Sequence, residues 1–557
     1  MSSPFQSRLF ALTRSDAFVA ELAESLLALC RIDTGPNPDV RVMAQRERAV
    51  FDLIEGALRR DGMPELLIER RPVAPGIAAH PAYSQLHFTK TAGRPRGLTP
   101  RQAYRHRCNL VCTWPVAGRT DGGVALNAHV DVIAPYVPPR LEGGIVYGRG
   151  ACDDKGGVVA IVAALQALAR LGVPPARPVT AMFPIEEETG GNGSLALALD
   201  RDLKARYDSI LVAECTGLRI HPANRGAVWY RVGLSDLGLP PVETAAHVVE
   251  ALENEGRAIR AESRHALFPQ RPVQTCHGIL GPFGEHPSRI CGRVEVEFIL
   301  PGGLTPAVEP LLRDVLDSGL AEYIGLYGDK TRVPDPATGR PKVERHYELV
   351  ATPGGCRLTV HGATGHMGSI LENDGAITKA AAMIRAVCRS RARLDAAAGG
   401  RLALGLPGAA PVGLVLEGGQ GFVPTHTIEN IMDRLRAAAW RGVANFATRC
   451  GRRPPPRRAV SVTFDKLHNA AFDGDPDSAA MRRARRAARA CGLPADEPPV
   501  GWNVSCDARL FATEYPGMPV LTVGPGSLAH AHADGEQLRL DELRQFVEFL
   551  ALYLVED

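Results

Sequence analysis

Four short apolar runs in this chain each lead into a residue that can bind a cation, and that pattern narrows the fold more than any other feature. Gly123-Val124-Ala125-Leu126-Asn127 leads into His129, and Val179-Thr180-Ala181-Met182-Phe183 into Glu186-Glu187-Glu188. Ser209-Ile210-Leu211-Val212-Ala213 leads into Glu214, and Pro519-Val520-Leu521-Thr522-Val523 precedes Gly524-Pro525-Gly526 and His532. Short apolar runs rich in β-branched residues and bounded by Gly and Pro predict buried strands. The stretch Val158–Leu171 between two of them predicts a buried helix. Alternating strands and helices predict an α/β fold: a mixed, largely parallel sheet flanked by helices. In an open sheet of that kind ligands gather at the carboxyl ends of the strands, where these acids and imidazoles stand.

The sheet-forming segments flank a long middle stretch, so we expect a catalytic domain in two parts, 1–225 and 475–557, around an inserted α+β domain at 226–474. The insert reads as two related passes. The first runs through Trp229–Gly233, a helix over Val242–Glu253, and strands near Gly278–Leu280 and Val294–Phe298. The second runs through Arg357–Gly362, a helix over Asp374–Val387, and strands at Val412–Leu416 and Val460–Phe464. Ahead of the sheet, Asp16–Cys30 carries Phe18, Leu22, Leu26, Leu27 and Cys30 at helical spacing and stops at Gly35-Pro36. Residues 75–107 show no clear period and read as an insertion without an evident role.

Length and composition exclude several classes. A chain of 557 residues is long enough for two or more domains. Its 64 basic and 61 acidic residues leave a net charge of +3, which makes no electrostatic case for nucleic acid or an anionic membrane. The basic stretch Met481–Arg489 interleaves arginine with alanine and reads as a solvated helix face. The 12 cysteines form no regular framework, and Cys108 and Cys112 are the closest pair, so a reduced cytoplasmic complement is expected. Met1–Asp16 lacks the apolar core of a signal peptide, and no run of about 18 apolar residues occurs, which predicts a soluble cytosolic protein.

The chemistry lies in five motifs: Ala128-His129-Val130-Asp131; Gly148-Arg149-Gly150-Ala151-Cys152-Asp153-Asp154-Lys155-Gly156-Gly157; Glu187-Glu188-Thr189-Gly190-Gly191; Val212-Ala213-Glu214-Cys215-Thr216-Gly217; and Ala531-His532-Ala533-Asp534-Gly535-Glu536. Imidazole mixed with carboxylate, without paired thiolates, suits zinc in an open catalytic site better than a closed structural one. Taken singly, an acid triplet is an ordinary solvated turn and a His-x-Asp an ordinary surface or core pair. Five in series carry the argument.

In order, spacing and flanking residues these motifs resemble the metallopeptidase family of aminoacylase-1, carboxypeptidase G, acetylornithine deacetylase and succinyl-diaminopimelate desuccinylase. The likeness starts at the first helix with its Arg31-Ile32-Asp33-Thr34 turn. It implies two divalent ions, zinc first, with cobalt and manganese sharing such ligands. By resemblance Asp153 bridges the pair, His129 and Glu214 complete one site, and Glu188 and His532 complete the other. Asp131 stands behind His129 and fixes its tautomer. Glu187 stays off the metals as general base toward the water that the pair would hold. A slip of one residue in the glutamate run would make Glu187 a ligand instead. His530 competes with His532, and the spacing His-x-x-x-Glu to Glu536 selects His532. Asp154 is expected to be structural, following a cis peptide.

Two outlying residues match substrate contacts of the family. His366, in Gly362-Ala363-Thr364-Gly365-His366-Met367-Gly368, matches a lid histidine that stabilises the oxyanion, although the usual following Pro is replaced by Ser369-Ile370-Leu371. Its alternative is a solvent-exposed histidine at a helix entry. Arg509, in Ser505-Cys506-Asp507-Ala508-Arg509, matches an arginine that binds the substrate carboxylate; its alternative is a structural pair with Asp507.

The resemblance therefore implies a zinc-exopeptidase-like fold with an inserted lid of two ferredoxin-like modules. It implies a zinc-dependent amidohydrolase acting on an N-acyl amino acid or short peptide with a free carboxylate. Glutamate at Glu214 leans toward deacylases and carboxypeptidases. The doubled lid is similar to that of the bacterial dipeptidase PepV, in which the second module stands in for a partner subunit, so the active site is expected to be complete within one chain. A non-catalytic binding protein of the same fold would be favoured by a lost ligand or base, and neither is lost here.

Overall fold

The computed structural model describes residues 4–60, 63, 65–119, 122–234, 237–335, 339–365, 367, 374–408, 414–466 and 468–556. They divide into two compact units, Met1–Gly226 with His265–Pro269 and Lys466–Asp557, and Ala227–Arg264 with Gln270–Asp465.

The first unit is built on a six-stranded sheet in the order Leu67–Pro72, Cys108–Trp114, Val179–Phe183, Val124–Asn127, Ser209–Val212, Val520–Thr522. The last four strands run parallel to one another, and the first two form an antiparallel edge. The strands Val124–Asn127, Val179–Phe183 and Ser209–Val212 are buried throughout, which is why they read as unbroken apolar runs rather than as alternating ones. Helices cover the sheet. Lys155–Leu171 is buried along nearly its whole length and ends at Gly172, whose φ of 64° gives the left-handed cap. Asp16–Cys30 starts at Ser15, whose hydroxyl accepts from the Phe18 N–H, and it packs beside Lys155–Leu171 and Leu540–Val555 in the main core. The chain returns to this unit at Lys466 rather than beyond residue 474, because Phe472–Asp473 pairs with Ala223–Asn224. Residues 75–107 contain only short helical turns, Pro75–Ala79, His87–Thr89 and Pro100–Ala103, the last opened by a Thr99–Gln102 capping box.

The second unit holds two sheets whose main strand orders follow one rule. One is ordered Thr275–Leu280, Val415–Phe422, Gly226–Gly233, Ser461–Thr463, with helices Pro241–Glu262 and Ile428–Arg449. The other is ordered Tyr347–Thr352, Gly355–His361, Arg293–Ile299, Ala403–Gly405, with helices Val308–Tyr327 and Ala376–Arg389. Numbered along the chain within each module, both read strand 2, strand 3, strand 1, strand 4, with a helix after strand 1 and another after strand 3: two ferredoxin-like βαββαβ modules. They are nested, not consecutive. The whole of one module is inserted between the second and third strands of the other. The two passes expected from sequence divided the strands differently, since Arg293–Ile299 pairs with Gly355–His361 and belongs to the inner module. Among the described residues no helix is long and apolar enough to cross a membrane.

Candidate di-metal centre

The candidate site lies in the first unit, at the carboxyl ends of its parallel strands. Val124–Asn127 delivers His129, Val179–Phe183 the glutamate turn, Ser209–Val212 Glu214, and the loop after Val520–Thr522 His532. Two groups of side chains could each hold a metal ion, His129 with Asp153 and Glu214, and Asp153 with Glu188 and His532. Ligand atoms within each group lie within 4.8 Å of one another, and Asp153 belongs to both. His129 Nε2 is 3.0 Å from Asp153 Oδ1, and His532 Nε2 is 3.3 Å from Asp153 Oδ2, so one carboxylate faces an imidazole on each side. His532 Nε2 also lies 3.0 Å from Glu188. The backbone at His532 has φ 62°, a left-handed conformation that turns the ring inward. His530 meets Gln537 and enters neither group.

Asp131 does two jobs. It lies behind His129, whose Nδ1 is 3.1 Å from the Asp131 carbonyl and 3.5 Å from its carboxylate. The same carboxylate accepts 3.0 Å hydrogen bonds from the backbone N–H groups of Glu187 and Glu188. It thereby ties the histidine to the glutamate turn. Glu187 falls in neither metal group. Glu186, the first of the three acids, has φ 67° and points away into a buried cluster with Arg107, Tyr104 and Asn192.

The electrostatics call for cations. Among the described residues, Asp131, Asp153, Glu187, Glu188 and Glu214 share the centre with two imidazoles, His129 and His532. Burial, followed by repulsion from Asp507, pushes Glu187 well above the ordinary carboxyl range. Burial and Asp153 do the same to Glu214, and burial raises Glu188 against the pull of His532. Burial opposes ionisation of Asp153, yet His129 and His532 hold its pKa below the usual range. Burial would lower His129, but Asp131 and Asp153 outweigh it and raise it well above the imidazole value. Buried acids crowded in this way are stable only when paired or when they coordinate metal. An imidazole–carboxylate donor set with one shared carboxylate fits two divalent ions.

Several supports lie within these motifs without being candidate ligands. Glu536, 1% exposed, accepts from the N–H groups of Gly150 at 2.9 Å, Cys152 at 3.2 Å and Asp153 at 3.1 Å, and pairs with Arg149 at 2.5 Å. It fixes the loop that presents Asp153; its position four residues after His532 was the visible hint. Buried Lys155 donates to the carbonyls of Leu29 at 3.1 Å and Ile32 at 2.7 Å, locking the Asp153 loop to the end of Asp16–Cys30. The Asp153–Asp154 peptide is cis, and Asp154 is fully buried beside Gly157. Arg509 is only 4% exposed, and its Nη2 donates to the Gly190 carbonyl at 3.0 Å with Asp507 and Glu187 as its charged neighbours. That places it against the back of the glutamate turn. His366 lies outside the described residues.

Comparisons with known proteins bear on the fold and the family. In sequence, 139 residues are 28% identical to a probable carboxypeptidase of Emericella nidulans, covering 22% of this chain and 32% of that protein, so the match spans about a third of the relative. Human carnosine dipeptidase 1 superposes with a TM-score of 0.57 at 14% identity, covering 99% of both chains. The dipeptidase Dug1p of Saccharomyces cerevisiae superposes with a TM-score of 0.56 at 13% identity, covering 100% of this chain and 98% of that one. At such identity these likenesses establish the fold alone. Residues 125–556, from the strand that delivers His129 to the final helix, match the model of peptidase family M20/M25/M40, and the chain belongs to that family.

Proposed function

We propose that this protein is a zinc-dependent amidohydrolase that cleaves an N-acyl amino acid or a short peptide bearing a free carboxylate. The observation that carries the reading is the Asp153 carboxylate, shared by two ligand groups while Glu187 stands beside them and in neither. His129 and Glu214 would hold one ion, Glu188 and His532 the other, and Asp153 both. Two bound cations supply Lewis acidity toward water and the scissile carbonyl. Glu187 takes the proton of the attacking water and returns it to the leaving amine, so the amide C–N bond breaks as a C–O bond forms. Asp131 keeps His129 in one tautomer and the glutamate turn in place. Arg509, covered by protein, is assigned to holding that turn rather than to the substrate carboxylate. His366 would donate to the oxyanion, with every group of the site drawn from one chain in the cytoplasm.

Glutamate at Glu214 favours deacylase or carboxypeptidase action, and the sequence match to a probable carboxypeptidase supports it. The nested pair of ferredoxin-like modules favours a second reading, a dipeptidase that requires a free amino terminus. A panel of N-acetyl, N-succinyl and N-formyl amino acids beside free dipeptides, assayed with zinc and with manganese, separates the two. We expect hydrolysis of blocked substrates and its loss in Glu187→Gln with both metals retained. Cleavage of free dipeptides alone would overturn the deacylase reading, and loss of metal in Glu187→Gln equal to that in His129→Ala would overturn its assignment as base.

A further inference from the structure

The segment 75–107 has no part in the chemistry above, yet it supplies most of the buried hydrogen bonds that hold the glutamate turn. Three of its residues reach the turn. Arg107, fully enclosed, donates its Nη1 to Glu186 and grips Glu47 with Nε at 3.1 and 3.0 Å and Nη2 at 2.5 Å. Tyr104 donates its hydroxyl to the other Glu186 oxygen at 2.6 Å, and the same hydroxyl accepts from Asn192 at 2.9 Å. Ser84 donates its backbone N–H to Asn192 Oδ1 at 3.0 Å and its hydroxyl to the Gly190 carbonyl at 3.2 Å, while Asn192 Nδ2 returns a bond to the Ser84 carbonyl at 2.9 Å. The fit is close. A Cβ at Gly190 would stand 2.2 Å from Ser84.

The object of this grip is a backbone that a glutamate rarely adopts. Glu186 sits at φ 67°, where a side chain bearing a Cβ is disfavoured. That one left-handed residue stands three places after the strand's last residue, where three consecutive acids point three ways: Glu186 into the cluster, Glu188 toward His532, and Glu187 into neither metal group. An unfavourable backbone persists only where its surroundings over-determine it. Here three donors fix the Glu186 carboxylate from one side while Asp131 fixes the next two N–H groups from the other.

We propose that Arg107, Tyr104 and Ser84 form a positioning clamp, and that the 75–107 segment sets the directions of the base Glu187 and the ligand Glu188 by holding the Glu186–Asn192 turn. The inference rests on the roles given to those two glutamates above. Arg107, Tyr104 and Ser84 touch neither metal nor substrate and act through the turn.

Tyr104→Phe is the cleanest test, since it removes one hydroxyl and keeps the ring. Metal-free protein is titrated with Co2+, followed by its visible absorption and by chelator competition, which resolves two affinities without any substrate. We expect one of the two equivalents to weaken about tenfold, the loss usual for a residue that orients a ligand, and the other to stay within about twofold. Turnover should fall by a similar factor with KM unchanged, because the base is displaced and the substrate contacts are not. Tyr104→Phe added to Glu186→Gln should cost little beyond Glu186→Gln alone, as both act on one carboxylate. Two unchanged affinities and an unchanged kcat, in a variant that melts like the wild type, would overturn the clamp. So would equal weakening of both equivalents, the mark of general loosening. A wild-type protein that binds two Co2+ ions but hydrolyses nothing in the panel would count against the proposed function, and the titration would still judge the clamp.

Discussion

Replacing Glu536 by Gln probes how the Asp153 loop is held, and its cost can be worked from the contacts. One carboxylate oxygen accepts from three backbone N–H groups, at 2.9, 3.2 and 3.1 Å, and the other faces Arg149 at 2.5 Å with both side chains 1% exposed. An amide oxygen can keep the three backbone bonds, because acceptance there does not need charge. The amide nitrogen cannot accept, so it would turn a donor toward the Arg149 guanidinium. What is lost is the partner of a buried cation, and that costs about 3–5 kcal/mol. If this is the mechanism, removing the stranded cation should recover much of the loss. Glu536→Gln/Arg149→Met should therefore cost less than Glu536→Gln alone, leaving about 1–2 kcal/mol for the unpaired amide. Urea unfolding of the metal-free proteins, read as a double-mutant cycle on the transition of the sheet unit, gives the comparison. Metal affinity should fall about 10–100-fold in the single variant, since the loop presenting Asp153 loosens. A Glu536→Gln protein within about 1 kcal/mol of wild type, or strictly additive losses in the cycle, would refute the reasoning.

Two further outcomes are expected. His221 is 6% exposed, bonds the Val500 carbonyl through Nδ1 at 2.9 Å, and has its pKa pushed down from 6.5 to about 4 by burial. The folded chain thus binds fewer protons there than the unfolded one, so this stability is fully present above pH 6.5 and drains away as pH falls toward 4, up to about 3 kcal/mol; His221→Gln should flatten that slope in urea midpoints at pH 7.5 and pH 5, and parallel slopes would sink the assignment. His366→Ala should slow catalysis by about a hundred- to thousandfold with metal content unchanged, and mixing it with Glu187→Gln protein should restore nothing; recovery after subunit exchange would mean that the histidine is donated in trans.

The parallel strands of the first unit were legible because they are buried on both faces. Such strands must be apolar without interruption, so Val124–Asn127, Val179–Phe183 and Ser209–Val212 announce themselves, and their chemistry follows at the next residues. The helix Asp16–Cys30 was legible through the period that one buried face imposes, and Lys155–Leu171 as a long apolar stretch buried on nearly every side. The nesting of the second unit was not. Arg293–Ile299 alternates exposed and buried residues like any half-covered strand, and nothing in that alternation says whether its neighbour is Thr275–Leu280 close before it or Gly355–His361 far beyond. Strand pairing is a long-range choice made by packing. A local pattern reveals the element and leaves the partner open.

The site divides along the same line. Candidate ligands are recognisable because coordination restricts residue type and their place along the chain is restricted too, so the motifs holding His129, Asp153, Glu188, Glu214 and His532 stand out when read in series. The residues that aim them obey neither restriction. Arg107 and Tyr104 stand in a stretch without period, and their target, Glu186, looks the same in sequence as the two acids that follow it. Glu186 alone of the three adjacent glutamates has a left-handed φ, and a buried guanidinium and a phenol from elsewhere in the chain hold its carboxylate. The register of the site is therefore a tertiary property. A relative that kept all five motifs but lacked Arg107 and Tyr104 would need some other buried donors at Glu186 to hold the same base.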